Sequence, residues 1–279
     1  RQMCIRDSHY TIEGSDDKAD DHVNVDKHWN FFNPKAGINF QKDGHNAFVS
    51  FSVANREPNR DNFTEAGRDE RPQHETLYDY EAGYGFGNSR FHVGANLYFM
   101  DYSNQLILTG KISEIGEALT SNIKDSYRMG IELTGGVKIA RWLDWSGNLT
   151  LSRNKIKNFT ESIEVYDADW NFLREDHNDL GTTDIAFSPD IIANSMFNFN
   201  WKQFSASFNS QFVGRQYIDN TSCKDRSIDP YFVSNLRVGY VFKPKFMKEI
   251  ALDVTINNLF NEQYETCLLY TSPSPRDVE

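Results

Sequence analysis

FHVGANLYFM, residues 91–100, decides the fold. Phe91, Val93, Ala95, Leu97 and Phe99 form one set, and His92, Gly94, Asn96, Tyr98 and Met100 form the interleaved set. Successive side chains of a strand point to opposite faces, so the stretch has one apolar face and one mostly polar face. The same pattern recurs on both sides of it. Tyr127, Met129, Ile131 and Leu133 alternate with Arg128, Gly130, Glu132 and Thr134. Leu143, Trp145, Gly147, Leu149 and Leu151 alternate with Asp144, Ser146, Asn148, Thr150 and Ser152. Phe204, Ala206, Phe208 and Phe212 stand against Ser205, Ser207, Asn209 and Gln211, and Ile250, Leu252, Val254 and Ile256 against Ala251, Asp253, Thr255 and Asn257. A helical period of 3.6 competes nowhere over any length.

Extending this reading predicts eleven strands, near 9–13, 30–41, 46–54, 76–86, 90–104, 124–139, 142–156, 187–200, 202–216, 231–243 and 249–258. Several reach the ~9–11 tilted residues that cross a bilayer. Short turns at Lys42–His45, Gly87–Ser89, Ala140–Arg141, Trp201 and Pro244–Lys248 alternate with long connections at Gly14–His28, Arg56–Glu75, Asn104–Ile123, Lys157–Asp184 and Tyr217–Pro230. A membrane barrel has short turns on one side and long loops on the other. The polar faces are rich in Ser, Asn, Gln, Thr and Gly, which a dry sandwich core would not hide on every strand. Tyr78, Tyr80, Tyr84 and Phe86, then Phe197, Phe199 and Trp201, fall near strand ends, where interfacial girdles sit. The fold class expected is all-β: an antiparallel up-and-down transmembrane barrel, partial. Its apolar set should face outward to lipid and its polar set inward to a wet lumen.

Composition agrees. The 279 residues carry 29 Lys+Arg against 40 Asp+Glu, a net charge of −11, so no basic stripe exists to neutralise nucleic-acid phosphates. No apolar run approaches the roughly 18–20 residues of a spanning helix, which leaves a barrel open. Cys4, Cys223 and Cys267 are the three cysteines. Two of them lie in the end segments, so neither a disulfide framework nor a multi-cysteine metal site is expected in the body. The chain opens on Arg1 rather than Met, so a missing targeting segment says nothing about location.

The ends read differently from the middle. RQMCIRDS (1–8) and CLLYTSPSPRDVE (267–279) continue no adjacent pattern and look like non-native read-through. The chain divides into a foreign end at 1–8, a partial barrel at 9–266 and a foreign end at 267–279, with few sheet contacts expected at either end.

REPNRDNFTEAGRDERPQHETLYDYEAGY, residues 56–84, resembles the barrel signature of TonB-dependent outer-membrane receptors. Arg56, Glu57 and Pro58 match its Arg-x-Pro part, and Pro72, Glu75, Tyr80, Glu81 and Gly83 match its Pro-x-x-Glu and Tyr-Glu-x-Gly parts. LYFMDYSNQL (97–106), SYRMGIEL (126–133), FSPDIIANSMF (187–197), VGRQYIDN (213–220), DPYFVSNLRVGYVF (229–242) and VTINNLFNEQY (254–264) follow in the family's order. The wording REPNR suggests a Bacteroidetes-like branch. The resemblance implies about eleven of 22 strands, numbers 11–21, with the plug domain and final strand absent. It implies an outer-membrane receptor that binds a scarce nutrient such as a ferric siderophore. Import would use energy from the TonB complex, engaged through the missing N-terminal region. Outer-membrane lipid is the other partner; no enzyme activity and no cofactor are implied. Alternatives are a passive porin-like or adhesin barrel and a soluble secreted all-β binding module.

The residues themselves show no catalytic constellation. The seven His are scattered, and no pair is placed on a common face by spacing; His92 reads as lumen lining. Ser188-Pro189-Asp190 lacks the glycines of a nucleophile elbow, and GYGFG (83–87) has no strand-to-helix context. Glu13, Asp16, Asp17, Asp20 and Asp21, and Glu161, Glu164, Asp167, Asp169, Glu175, Asp176 and Asp179, form two acidic stretches. Without an EF-hand pattern they read as solvated surface before calcium sites. The ligand-binding or plug-contact candidates are Arg56, Glu57, Arg60, Arg128, Glu132, Arg215 and Tyr217. Arg56, Glu57 and Arg60 follow an outward-running strand at the barrel mouth, where buried charges need partners.

Overall fold

The computed structural model describes residues 2–18, 21–59, 62–63, 72–112, 118–168 and 171–265. Among these the strands are β1 (Gln2–Lys18), β2 (Asp21–Lys42), β3 (His45–Arg56), β4 (Glu75–Gly87), β5 (Phe91–Ile112), β6 (Ala118–Ala140) and β7 (Leu143–Tyr166). Then follow β8 (Phe172–Asp184), β9 (Ile191–Trp201), β10 (Phe204–Val213), β11 (Gln216–Tyr217), β12 (Ser227–Ile228), β13 (Tyr231–Phe242) and β14 (Ile250–Ile256). One 12-stranded sheet runs β1-β2-β3-β4-β5-β6-β7-β9-β10-β13-β14, with β8 paired to β7 off this path; β11 and β12 form a separate hairpin. Every pair is antiparallel. The path contains each of the eleven expected strands in meander order, and the other sheet among the described residues is the β11–β12 hairpin of two residues a strand, too small to be the second layer of a sandwich. A soluble two-sheet sandwich is therefore excluded.

Register gathers the apolar sets on one face. Side chains of directly opposed residues share a face. Across one row, Ile38 opposes Val49, Val49 opposes Ala82, Ala82 opposes Leu97, Leu97 opposes Ile131 and Ile131 opposes Leu151. On the other side Phe197 opposes Phe208, Phe208 opposes Leu236 and Leu236 opposes Ile256. Val49, Leu97, Leu252 and Val254 are more than half exposed on this face among the described residues. The opposite face carries Asn96, Glu132 and Thr150 in one row, Asn148, Asn194 and Gln211 in another, and the opposed pair Asn209 and Asn235.

The apolar band has a uniform height. It runs Tyr78–Phe86 on β4, Phe91–Phe99 on β5, Leu143–Leu151 on β7 and Phe204–Phe212 on β10. Each is about the 9–11 residues of a membrane-crossing strand. Just past it the same face turns polar, with Asp101 on β5 and Arg153 on β7. At the short-turn rim, rings pack as a girdle: His45 on Phe86 at 4.6 Å, Trp142 on Phe199 at 5.2 Å and Tyr240 on Phe242 at 4.6 Å. Because the path is a meander, the short turns share this rim and the long connections share the other. The β2–β3 turn is Asp43-Gly44 with φ of 50° and 82°, the left-handed pair a two-residue hairpin needs.

Two kinds of expectation are corrected. Four of the five long connections contain strand: β1 and β2 extend through most of 14–28, β5 and β6 through most of 104–123, β7 and β8 through most of 157–184, and 217–230 holds β12. β7 outruns β9, and its upper half, from Lys155 to Tyr166, pairs with β8 instead. The almost wholly exposed β8 has no buried face, so alternation could not reveal it. Nor is the N-terminal end detached, since Gln2–Ser8 pair with Gly37–Phe31. A sheet edge offers free backbone groups that pair with a chain whatever its side chains, so pairing carries no information on origin. Residues 267–279 lie outside the described residues.

Candidate functional site at the outer end of the polar face

Above the band, on the polar face, the candidate charges are tied into the wall. Arg56 directly opposes Glu75, and its Nη2 donates to Glu75 Oε2 at 3.0 Å and to the Leu106 carbonyl at 3.0 Å. Glu75 Oε2 also accepts the Leu106 N–H at 2.7 Å, so one carboxylate links β3, β4 and β5. Glu75 is only 12% exposed in its side chain, whereas Arg56 is 56% exposed. The guanidinium therefore keeps a face toward the lumen while its partner is held inside the wall. Glu57 is half-buried, and Arg60 lies outside the described residues.

Arg128 Nη1 donates to Ser188 Oγ at 2.9 Å, reaching from β6 to the turn that enters β9. Tyr102 stands between the two arginines, within electrostatic range of Arg128, Glu75, Asp79 and Arg56. Glu132 is exposed on the same face, two rows below Arg128 with Gly130 between them. Arg215 lies elsewhere, in the β10–β13 connection, where it pairs with Asp229 at 2.9 Å and donates to Ser227 at 3.0 Å. Tyr217 sits in the β11–β12 hairpin, and its carbonyl accepts the Phe187 N–H at 2.8 Å. Segment 186–188 thus connects Arg128 to Tyr217, and Arg215 reaches the same hairpin through Ser227, the residue opposite Tyr217.

Around this segment is a clasp that sequence reading did not find. Lys155 pairs with Asp184. Ser222 Oγ donates to Asp184 at 2.9 Å and accepts the Asp184 N–H at 2.7 Å. Asn220 Oδ1 accepts the Ala186 N–H at 2.9 Å. Arg226 bridges Glu161 on β7 at 3.2 Å and Asp219 at 2.7 Å. Beneath it, Ile107, Ile156 and Ile185 form a small core with Ile123 and Phe159 packed against it. The strand residues of this clasp meet the β10–β13 connection only where that connection folds back, so only VGRQYIDN, which holds Asp219 and Asn220, could have flagged it.

The second acidic stretch does not assemble into a calcium site among the described residues. Glu161 is spent on Arg226, Asp167 accepts from the Asn171 backbone at 2.8 Å, and Asp179 caps the Gly181 N–H at 3.0 Å. Arg174 hydrogen-bonds Asp176 at 2.8 Å and thereby holds that carboxyl below its ordinary value. At the β14 edge a cavity of about 830 Å³ opens between Asp229, Tyr231, Asn258 and Glu262, floored by Tyr231 stacked on Tyr264 at 4.6 Å. Hydrogen bonding and charge are what this surface offers.

Residues 5–259 match the family described as TonB dependent receptor-like, beta-barrel. The chain belongs to that family of outer-membrane receptor barrels. Among solved structures it is similar to the siderophore receptor PiuA from Acinetobacter baumannii, with a TM-score of 0.66 and 13% identity over 93% of this chain and 36% of that one. It is similar to the FrpB iron transporter from Neisseria meningitidis, with a TM-score of 0.63 and 14% identity over 93% and 37% of the two chains. The ferric-catecholate import receptor Fiu from E. coli K12 gives a TM-score of 0.61 and 16% identity over 87% and 32%. At these identities the likeness concerns the fold, and the chain spans about a third of each structure's length. Comparison with the curated proteins finds no match.

Proposed function

We propose that this chain is wall from an active-transport receptor that captures a scarce, large nutrient at the cell surface. Import then uses energy supplied by the TonB complex. The ligand class is a ferric siderophore or a similar anionic iron chelate. One observation carries this reading: two guanidiniums, Arg56 on β3 and Arg128 on β6, stand on either side of Tyr102 on β5 at the outer end of the polar face, with Arg128 tied to the Ser188 turn. Cationic donors beside an aromatic ring suit an anionic, ring-bearing ligand. The printed names of PiuA, FrpB and Fiu, which are siderophore or iron proteins, point the same way. Arg56, Glu57, Arg60, Arg128, Glu132, Arg215 and Tyr217 are the ligand or plug contacts proposed. In this reading 9–266 is receptor wall of a Bacteroidetes-like branch, and 1–8 and 267–279 are foreign to it.

The test is growth of an iron-limited strain whose only siderophore receptor is the full-length protein bearing this chain. Uptake of labelled ferric siderophore should require TonB. Replacing Arg128 by Ala should reduce uptake about tenfold or more, the loss expected of a charged hydrogen bond worth roughly 1.5–3 kcal/mol. Equal uptake without TonB would make the barrel a passive pore.

A further inference from the structure

The β1–β2 hairpin continues the lipid-side face beyond the band. Below are Phe40, Ile38, Ala36, Pro34 and Phe32; above, the same face presents Asn30, His28 and Asp26. Opposite these three, on β1, stand His9, Thr11 and Glu13. All six are exposed. Glu13 and Asp26 are directly opposed, an arrangement of like charges that weakens a strand pair unless something neutralises it. His28 Nε2 lies 3.1 Å from Asp26 Oδ1. One ligand atom from each of Glu13, Asp26 and His28 lies within 4.8 Å of the other two.

We propose that Glu13, Asp26 and His28 hold a divalent transition-metal ion of the Zn²⁺ class, on the outer wall just above the lipid. Two carboxylates and an imidazole make a mixed N/O donor set with positions left for water. The imidazole turns selectivity from Mg²⁺ and Ca²⁺ toward zinc, copper or nickel. Thr11 Oγ1 lies 3.0 Å from His28 Nδ1, which engages that nitrogen and leaves Nε2, on the carboxylate side, as the metal ligand. His9 stacks on His28 with ring centroids 6.3 Å apart and planes 7° apart, and its Nδ1 is 2.8 Å from Asn30 Oδ1. This stack fixes the plane of the ligating ring. The site faces away from the lumen, so its ion is not cargo. It ties together a hairpin whose paired carboxylates otherwise repel.

The full-length receptor, stripped with chelator in detergent, is titrated with zinc sulfate by calorimetry in excess Mg²⁺. The wild type should bind one more Zn²⁺ per chain than His28→Ala. Glu13→Gln should weaken that same site about tenfold or more, while both variants keep the heat-modifiable gel mobility of a folded barrel. Equal stoichiometry and affinity in wild type and both variants would overturn the assignment. So would displacement of the Zn²⁺ by Mg²⁺, which would mark only a generic acidic surface.

Discussion

On the polar face, aromatic rings lie over glycines of the next strand. Phe48 covers Gly83, Tyr98 covers Gly130 and His92 covers Gly136, each pair directly opposed in register. The Tyr-Glu-x-Gly motif takes its physical meaning here. Tyr80 joins the lipid-side ring contacts, 4.9 Å from Phe51, while Glu81 turns to the polar face and accepts from Ser50 at 3.4 Å. Gly83 leaves room for a ring. A Cβ at Gly83 would fall 2.2 Å from a Phe48 ring carbon, whereas one at Gly85 would meet only the Val93 carbonyl at 3.6 Å. Gly83→Ala should therefore destabilise the receptor by about 1–3 kcal/mol, the usual cost of overpacking, and Gly85→Ala should leave it near wild type. Urea unfolding of the full-length protein in detergent checks both. The motif was legible as letters; the ring over the glycine was not, because Phe48 and Gly83 meet only through strand pairing.

Strand β5 shows what the pleat decides for an element. Leu97 and Asn96 are neighbours in sequence and point to opposite media. Leu97→Arg places a charge among the lipid-side residues and should cost roughly 2–4 kcal/mol in bilayer unfolding measurements, while Asn96→Arg should change little. Equal costs would contradict the assignment of faces. At its outer end the regular ladder gives way: Asn104 has a φ of 54°, and pairing of β5 with β4 stops at Ser103. From there β5, β6 and β7 rise without β4 and enclose Ile107, Ile156 and Ile185. The β10–β13 connection is an ordered element because it is clasped to this extension. Arg226→Ala removes both of its ion pairs and should speed amide exchange across 216–228 about ten- to hundredfold, with the strands of the band unaffected. Protection unchanged in that segment would show that the Asp184–Ser222 contacts alone hold it.

For the whole molecule, the apolar face and the open edges of β1 and β14 set the behaviour. Backbone groups on an unpaired edge find no partner in hydrocarbon, so a wall of this size needs the rest of its barrel. Residues 9–266 alone should neither insert stably into vesicles nor bind a ferric siderophore. A protease-protected fragment with heat-modifiable mobility would show instead that the sheet closes or self-pairs. The same face accounts for a chain of net charge −11 that still exposes Phe32, Ile38, Phe40 and Val49 at more than half of their surface. Its solvent there is lipid.

Sequence by itself determined the eleven strands of the meander path, their faces and their short turns, because period-2 alternation is a local property of a pleat with two different solvents. It also carried the family, through motifs spread over 56–264. Tertiary structure alone decided which charges meet. Arg56 finds Glu75 at a separation of 19, Arg226 finds Glu161 at a separation of 65, and Glu13 finds Asp26 and His28 across a hairpin. Such meetings depend on the register of one strand against another and on where loops fold back. A pairwise distance of that kind leaves no periodic trace in the order of the residues.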